Sequence, residues 1–344
     1  MKLHNRVNGK ELKELLAQSN ESRITLSFYN YYLFPNPQIV RDHLYLAWDK
    51  LNVLGRIYIA KEGINGQISV PEAEFDQFKA SCDSLDYMRG IRLNIAVDEK
   101  AKSFFKLKIL VRHKIVSDGL DDSTFDVRDK GIHLSASKMN DMIGHDDTVV
   151  IDMRNHYESE VGHFENAICP DVETFRESLP IIRDMFSDQK DKNIVMYCTG
   201  GIRCEKASAY MKHHGFQHVF QLEGGIIEYT RQVTEQGLEN KFLGSNFVFD
   251  ERLGERVGHE VIAHCHQCGT LCDTHVNCAN DYCHLLFIQC PSCGEKYEHT
   301  CSDLCKEYLH RSPEEQLEAG RQLLFNGSRF GKGRYNPHRG KGLE

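Results

Sequence analysis

The apolar residues in the first third of the chain alternate between the two-residue period of a strand and the period of a helix. The strand-like runs are ITLSFY, GRIYIA, QISV and RLNIAV, and the turn KEGINGQ lies between the second and the third. Helix-like segments follow the first run, as QIVRDHLYLAWDKL, and the third, where Pro71 opens a segment with Phe75 and Phe78 on one face. The order βαββαβ predicts a ferredoxin-like domain. We assign residues 23–120 to this acylphosphatase-like arrangement and residues 1–22 to an N-terminal extension.

Residues 104–112 have the pattern of a strand with one apolar side and one cationic side. The apolar positions are Phe105, Leu107, Ile109 and Val111, and the cationic positions are Lys106, Lys108 and Arg112. One interpretation is an edge that neutralises RNA phosphates. The other is a solvated edge whose lysines prevent aggregation. The sequence leaves both open.

The middle of the chain has short, continuous apolar runs of the kind buried on both faces of a parallel sheet. They are TVVID at 148–152, NIVMY at 193–197 and HVFQL at 218–222, and helical patterns lie between them. Gly215 suits the left-handed cap of the helix before the third run. This alternation predicts a parallel α/β domain over residues 130–240.

A glycine-rich loop, CTGGIR, follows the second of these strands directly. Gly200 and Gly201 allow successive backbone N–H groups to point inward, and a helix that starts near Cys204 adds its positive N-terminal dipole. A thiol beside such an anion cradle, with a neighbouring guanidinium, ionises more readily than a free cysteine. We therefore predict Cys198 as a catalytic nucleophile assisted by Arg203. The predicted substrate-binding residues are Thr199, Gly200, Gly201 and Ile202.

Each cysteine of this loop also has an alternative interpretation. Cys198 would otherwise be a small buried hydrophobe that closes a strand. Cys204 is either a resolving thiol or a packing residue.

Nine of the thirteen cysteines crowd between Cys265 and Cys305. A four-cysteine zinc spacing is formed by two CxxC pairs, Cys265 with Cys268 and Cys290 with Cys293. We predict a structural zinc ion there, within a Cys-rich segment at residues 255–310. Further ligands of this or a second site would come from Cys272, Cys278, Cys283, His284, Cys301 and Cys305. Reduced thiols in a core, late disulfides or a redox-active cluster are the alternatives.

Charge and composition restrict the setting. The net charge of −8 argues against a uniformly basic coat, although local basic stripes remain. We expect no membrane segment, because charged residues interrupt every apolar run, and a cytoplasmic location, because the N-terminus lacks the apolar core of a signal peptide. A basic, flexible tail is predicted at residues 311–344. Its cations are Arg321, Arg329, Lys332, Arg334, Arg339 and Lys341.

The loop CTGGIR resembles the active-site loop of rhodanese domains, which carry sulfur as a cysteine persulfide. The upstream segment IDMRNHYESEVGHFENAI supports this resemblance. Its matching residues are Asp152, Arg154, Glu158, Gly162, His163 and Ala167. We expect these upstream residues to orient loops and leave them out of the catalytic set.

Nearly the whole chain resembles the rhodanese-like tRNA uridine hydroxylases. The segments that carry the resemblance are KEGINGQ, FFKLKILVRHKIV, YCTGGIRCEKA, LEGGIIEY and the cysteine-rich tail, with His113 where the family pattern favours an acidic residue. The resemblance implies conversion of the wobble uridine 34 to 5-hydroxyuridine with molecular oxygen. The anticodon region of tRNA would be the partner.

Three functions are compatible with the Cys198 loop: a hydroxylase, a sulfurtransferase and a binding module. In the hydroxylase, Cys198 adds to C6 of uridine, the resulting enolate reacts with oxygen, and loop amides or Arg203 stabilise the carbonyl charge. In a sulfurtransferase, Cys198 carries a persulfide to an acceptor. A binding module that captures an anion is the third hypothesis. The sequence has no GxGxxG fingerprint and no two-His, one-carboxylate set, so it assigns neither a flavin nor a redox metal, and it assigns no protein partner.

Overall fold

The computed structural model describes residues 12, 19, 21–97, 103–121, 124–322, 324–327 and 334–336. Most of the predicted extension at 1–22 and the tail residues Arg329, Lys332, Arg339 and Lys341 lie outside this set. The chain divides into two units. The first comprises Met1–Ser159, Phe164–Lys241 and Val248–Glu255, and the second comprises Glu160–His163, Phe242–Phe247 and Arg256–Glu344. No helix among the described residues is long and apolar enough to cross a membrane.

The N-terminal part of the first unit is the predicted ferredoxin-like domain. Its elements are β1 (Arg23–Tyr31), α1 (Pro37–Asp49), β2 (Leu54–Ala60), β3 (Gly63–Pro71), α2 (Phe75–Asp83), β4 (Asn94–Ile95) and β5 (Leu107–Val111). The sheet order is β4-β1-β3-β2-β5, and β5 pairs in parallel with β2 at the edge. Asn36 caps α1 by accepting hydrogen bonds from the first-turn amides, and Pro37 occupies the first turn. The helix buries Leu44, Tyr45 and Trp48.

Local predictions in this domain need four corrections. Only Lys61 and Glu62 form the predicted KEGINGQ turn, because Ala60 pairs with Gly63 and the rest belongs to β3. Pro71 ends β3, and α2 starts later, at Phe75, after a 3-10 turn. The run RLNIAV contributes a strand of two residues. Val111 is 40% exposed at the end of the edge strand, so the buried side of β5 comprises Leu107 and Ile109 only.

The rest of the first unit is a parallel α/β domain, as predicted. Its elements are β6 (Ile132–Leu134), α3 (Ala136–Met142), β7 (Thr148–Asp152), α4 (His156–Ser159), α5 (Phe175–Met185), β9 (Asn193–Tyr197), α6 (Ile202–His213), β10 (His218–Leu222) and α7 (Gly225–Gln236). The sheet order is β6-β10-β9-β7, with every pair parallel. Gly215 has a φ of +86° after α6, which confirms the predicted cap. The helix begins at Ile202, two residues before the predicted start near Cys204, so Arg203 and Cys204 lie in its first turn.

The second unit contains the cysteine-rich segment. Its strands are β8 (Gly162–Phe164), β11 (Phe242–Asn246), β12 (Glu255–Arg256), β13 (His275–Asn277) and β14 (Leu286–Ile288), and its helices are α8 (Pro291–Lys296), α9 (Asp303–Leu309) and α10 (Pro313–Arg321). Strands β13 and β14 form an antiparallel hairpin. The predicted flexible tail thus begins with a helix, which corrects the prediction. A capping box between Ser312 and Glu315 and the burial of Ala319 stabilise it.

Candidate active site

The CTGGIR loop holds the thiol of Cys198 inside a backbone cradle. Cys198 follows β9 and is fully buried, and the amide N–H of Gly201 donates a hydrogen bond to its Sγ at 3.2 Å. Gly201 has a φ of +96°, which lets the chain turn from the strand into α6. A side chain there would also place its Cβ 2.9 Å from the hydroxyl of Tyr29. The predicted cradle is therefore present and requires glycine at this position.

A second glycine pair, in the LEGGIIEY segment, anchors the same loop. The amides of Ile226 and Ile227 at the start of α7 donate to the carbonyl oxygens of Cys198 (3.0 Å) and Thr199 (3.2 Å). Gly225, at φ +66°, would place a Cβ only 2.4 Å from the carbonyl oxygen of Cys198. Sequence reasoning missed this clamp, although a double glycine between a strand and a helix is the signal that points to it.

The surroundings of Cys198 favour its thiolate. Burial by itself raises the pKa, but a hydrogen bond from the Cys204 thiol, the charge of Arg203 and the amides of Arg203 and Cys204 together lower the pKa of Cys198 to about 6. Burial and the neighbouring thiolate raise the pKa of Cys204 well above its ordinary value, so Cys204 remains a proton donor. The sequence predicted Cys204 as a resolving thiol or a packing residue, and neither role includes a hydrogen bond to Cys198.

Arg203 is held by a buried ion pair with Glu158. Its two Nη atoms lie 2.7 and 2.8 Å from the two carboxylate oxygens of Glu158, and a longer contact of 3.4 Å reaches Thr199 Oγ1. Glu158 is fully buried and also accepts a hydrogen bond from the amide of Asn155. Both Nη atoms are thereby engaged with Glu158, and the charge of Arg203 favours the thiolate of Cys198.

Of the other upstream residues, Asp152 and Arg154 form a contact that holds the chain in place beside the loop. Arg154 and Asp152 are buried together, with Arg154 Nε 2.9 Å from Asp152 Oδ1, and the backbone amide of Arg154 donates to the same oxygen. This pair fixes the chain directly after β7, on the strand next to β9 in the sheet. Gly162 and His163 lie on β8.

A pocket in the first unit reaches the loop at Thr199. It contains about 380 Å³ of space that no protein atom fills, part of it open to solvent. The lining residues are Thr25, Leu26, Ser27, Gln67, Asn94, Ala96, Phe104, Thr199, Ile227, Val248, Phe249, Asp250, Arg252 and Glu255. Of the four predicted substrate-binding residues, only Thr199 lines this pocket, and the Cys198 sulfur does not. Sequence reasoning missed the contribution of β1, β4 and residues 248–255, because these segments are distant in the sequence.

Asn94 connects the pocket to the loop. Its Nδ2 donates to the carbonyl oxygen of Gly200 at 3.4 Å. Its buried Oδ1 has no hydrogen-bond partner among the described residues, so the pocket contains an unsatisfied acceptor.

The nine clustered cysteines form two groups of four, with one thiol left over. Within each group all the sulfur atoms lie within 4.8 Å of one another. One group consists of Cys265, Cys268, Cys290 and Cys293, the predicted zinc ligands, and the other consists of Cys278, Cys283, Cys301 and Cys305. Cys272 and His284, which were candidate ligands, belong to neither group.

Comparisons with known proteins cover the chain in three parts and as a whole. Family profiles match the UPF0176 acylphosphatase like domain at residues 23–115, the rhodanese-like domain at 135–232 and the rhodanase C-terminal domain at 243–306. A tRNA uridine(34) hydroxylase of Enterobacter sp. is 56% identical over 333 residues, which is 95% of each chain. One of Photorhabdus laumondii is 54% identical over 97% of this chain and 95% of its own. The NMR structure of a rhodanese-like domain from Anabaena sp. is 20% identical and covers 29% of this chain and 73% of its own, with a TM-score of 0.25.

Proposed function

This chain belongs to the tRNA uridine(34) hydroxylase family, and from that premise we propose that it hydroxylates wobble uridine 34 of tRNA with Cys198 as the nucleophile. The observation that carries the proposal is the Cys198 sulfur, which accepts a hydrogen bond from the Gly201 amide at 3.2 Å and lies one residue from the pocket lined by Thr199. We infer a cytoplasmic location from the proposed reaction on tRNA. The enzyme is thus an oxidoreductase whose nucleophile is built by a rhodanese-like loop.

The proposed chemistry uses molecular oxygen as the oxidant. The Cys198 sulfur forms a bond to C6 of uracil, and the electrons of the C5–C6 double bond move to C5 and the O4 carbonyl as an enolate. C5 then bonds to oxygen and, with a proton, forms a hydroperoxide. A two-electron reductant of the thiol class supplies two electrons and two protons, which release water and leave the C5 hydroxyl. Loss of the C5 proton expels the Cys198 thiolate and restores the double bond.

The pocket lined by Asn94 and Thr199 supports an extruded base as the substrate. Its unsatisfied acceptor, Asn94 Oδ1, matches the N3–H donor of uracil, and the ring of Phe249 lines the same pocket. Cys198 itself is fully buried, so the entering base must displace the loop around Thr199 to reach the sulfur.

The edge strand β5 supports contact with the tRNA backbone. Lys108 is exposed, and partial desolvation and the charges of Lys106 and Arg56 lower its pKa. The three cations therefore lie close together. None of the three forms an ion pair within the described part of the chain. Arg112 continues this cationic surface into a cleft that also contains His113 and Arg176. An uncompensated cluster of this kind is suited to phosphates.

We expect Lys108→Glu to weaken binding of an anticodon stem-loop by about 3- to 10-fold and to reduce the salt dependence of binding by about one phosphate contact. Fluorescence anisotropy at several salt concentrations measures both quantities. Lys79→Glu is the matched control, because Lys79 is an exposed cation of the same domain that pairs with Asp76. Equal losses in the two variants would show that only net charge matters.

The function is tested by nucleoside mass spectrometry of tRNA from a bacterial strain that lacks 5-hydroxyuridine. Expression of this chain is expected to restore 5-hydroxyuridine, and growth under oxygen-18 gas is expected to add the mass of one heavy oxygen atom to it. A restored nucleoside without the label would show that the hydroxyl oxygen comes from water and not from molecular oxygen. No restoration from well-expressed protein would overturn the proposal.

The rhodanese-like match at residues 135–232 favours one second candidate, a sulfurtransferase with a Cys198 persulfide. The cradle suits a persulfide anion as well as a thiolate, because its amides bind negative charge. In the same experiment this function would appear as a thiolated nucleoside that depends on the chain, with 5-hydroxyuridine unchanged.

We also propose that Cys265, Cys268, Cys290 and Cys293 bind a structural zinc ion. Three of these residues are buried, and Cys268 Sγ lies 3.6 Å from Cys290 Sγ. The amide of Cys290 donates to Cys265 Sγ at 3.4 Å, as expected around a thiolate ligand. Four sulfur ligands leave no open position, so the ion would stabilise the fold and take no part in oxygen chemistry.

A further inference from the structure

The second cysteine group lies in the core of the second unit. Cys278, Cys283, Cys301 and Cys305 are all buried, together with Leu285, Phe287, Ala319 and Phe325. Thiols dispersed through a core need not converge, but here four sulfur atoms approach one another within 4.8 Å. The sequence offered these four residues, together with Cys272 and His284, as ligands of the first or of a second site, and the fold brings the four together as one set.

The distances between the sulfur atoms indicate a single ion. Cys283 Sγ lies 3.6 Å from Cys301 Sγ, which lies 3.7 Å from Cys305 Sγ. A disulfide requires about 2.05 Å. Tetrahedral zinc with Zn–S bonds of about 2.3 Å separates its sulfur ligands by about 3.8 Å. The ligands of an iron–sulfur cluster stand farther apart, because several metal atoms lie between them. The observed spacing therefore fits one tetrahedral ion.

Hydrogen-bond donors are placed where zinc-bound thiolates need them. Four thiolates around one zinc ion carry an excess charge of −2, which must be compensated inside a core. The amide of Cys301 donates to Cys278 Sγ at 3.4 Å and the amide of Gly327 donates to Cys283 Sγ at 3.3 Å. Asn326 Nδ2 donates to Cys301 Sγ at 3.5 Å. Neutral thiols in an apolar core would not need this set of donors.

The two groups interleave along the chain. Four pairs of cysteines follow one another: Cys265 with Cys268, Cys278 with Cys283, Cys290 with Cys293, and Cys301 with Cys305. The first and third pairs form one group, and the second and fourth form the other. The β13–β14 hairpin separates the two sites, because the second pair lies at its turn and the third pair follows β14.

We propose that Cys278, Cys283, Cys301 and Cys305 bind a second zinc ion, so that two ions cross-brace the second unit. The chain between the two cysteine pairs of one ion contains a cysteine pair that binds the other ion. Neither of these chain segments can open while both ions are bound. Metal binding thereby supplies the folding free energy that a small core lacks. All four ligands of the second site are buried, so its role is structural.

The test is the zinc content of the full chain, purified without a metal-affinity tag and measured by inductively coupled plasma mass spectrometry. We expect two zinc ions per chain in the wild type, one in Cys305→Ser and one in Cys268→Ser. Cys272→Ser is the matched control, because it removes a buried thiol that belongs to neither group, and it should retain both ions. One ion in the wild type, retained in Cys305→Ser, would overturn the second site, and iron in place of zinc would overturn the choice of metal.

Alkylation of the Cys268→Ser variant by N-ethylmaleimide, mapped by peptide mass spectrometry, tests the pairing. Cross-bracing predicts that Cys265, Cys290 and Cys293 become reactive while the four cysteines of the second group stay protected. Reaction at Cys278 and Cys283 instead would show that neighbouring pairs along the chain share an ion.

If the Cys305→Ser variant does not accumulate, the number of sites is tested by refolding the wild-type protein with cobalt. Two equivalents with tetrathiolate absorption are expected, and saturation at one equivalent would contradict the proposal.

Discussion

Cys198→Ala is expected to lower kcat/KM for hydroxylation of an anticodon stem-loop on the order of 1,000-fold or more, because the proposed reaction begins with its thiolate. Binding of the stem-loop should remain within about twofold of the wild type, since Cys198 is fully buried and does not line the pocket proposed for the base. The measurements are 5-hydroxyuridine formation by mass spectrometry and binding by fluorescence anisotropy.

The control for this variant is another cysteine of the same domain. Cys169 is partly buried, and burial raises its pKa to about 12, so it is protonated at neutral pH. Cys169→Ala should keep the activity of the wild type. If Cys198→Ala retained more than a tenth of the activity, the nucleophile would have to be sought elsewhere.

Arg203→Met is expected to produce the second large effect, a loss of roughly 3–5 kcal/mol in the free energy of unfolding. Its physical cause is Glu158, whose fully buried carboxylate would lose the guanidinium that pairs with both of its oxygens. The double variant Glu158→Met/Arg203→Met should recover most of this stability, because it buries two apolar side chains in place of an unpaired charge. Urea unfolding of the full chain measures both changes.

The same variants separate the structural role of Arg203 from its electrostatic role. In the wild type, the rate of Cys198 alkylation by iodoacetamide should rise with pH and reach half its plateau near pH 6, since the pKa of Cys198 is about 6. The stable double variant lacks the guanidinium charge that favours the thiolate, so its midpoint should move to higher pH.

Two references make this pH profile interpretable. Cys82, whose pKa burial raises to about 12, is an internal standard that reacts only at alkaline pH. Arg128→Met removes an arginine from an exposed ion pair with Asp126 and should change neither stability nor the midpoint appreciably. An unshifted midpoint in the double variant would show that the loop amides and Cys204 are enough to lower the pKa of Cys198. Arg203 would then stabilise the fold only.

What the sequence predicted correctly about the fold follows from short-range physical rules. Apolar residues alternate along β1, because one face of that strand is buried. They form a continuous run in β9, because both of its faces are buried. The predicted boundaries differ from the observed ones, because hairpin pairing decides where β3 begins and the position of β5 at the sheet edge exposes Val111.

The candidate site divides in the same way between neighbouring and distant residues. The sequence by itself determined the cradle at Cys198, because two glycines, a strand end and a helix start are neighbours in the chain, and it determined the first cysteine group, because CxxC pairs have a local signature. Only the tertiary structure decided that Glu158 holds Arg203, that Asn94 and residues 248–255 complete a pocket with Thr199, and that Cys278, Cys283, Cys301 and Cys305 converge. Each of these arrangements joins residues that are distant in sequence, and their meeting depends on how sheets and helices pack, which no local pattern records.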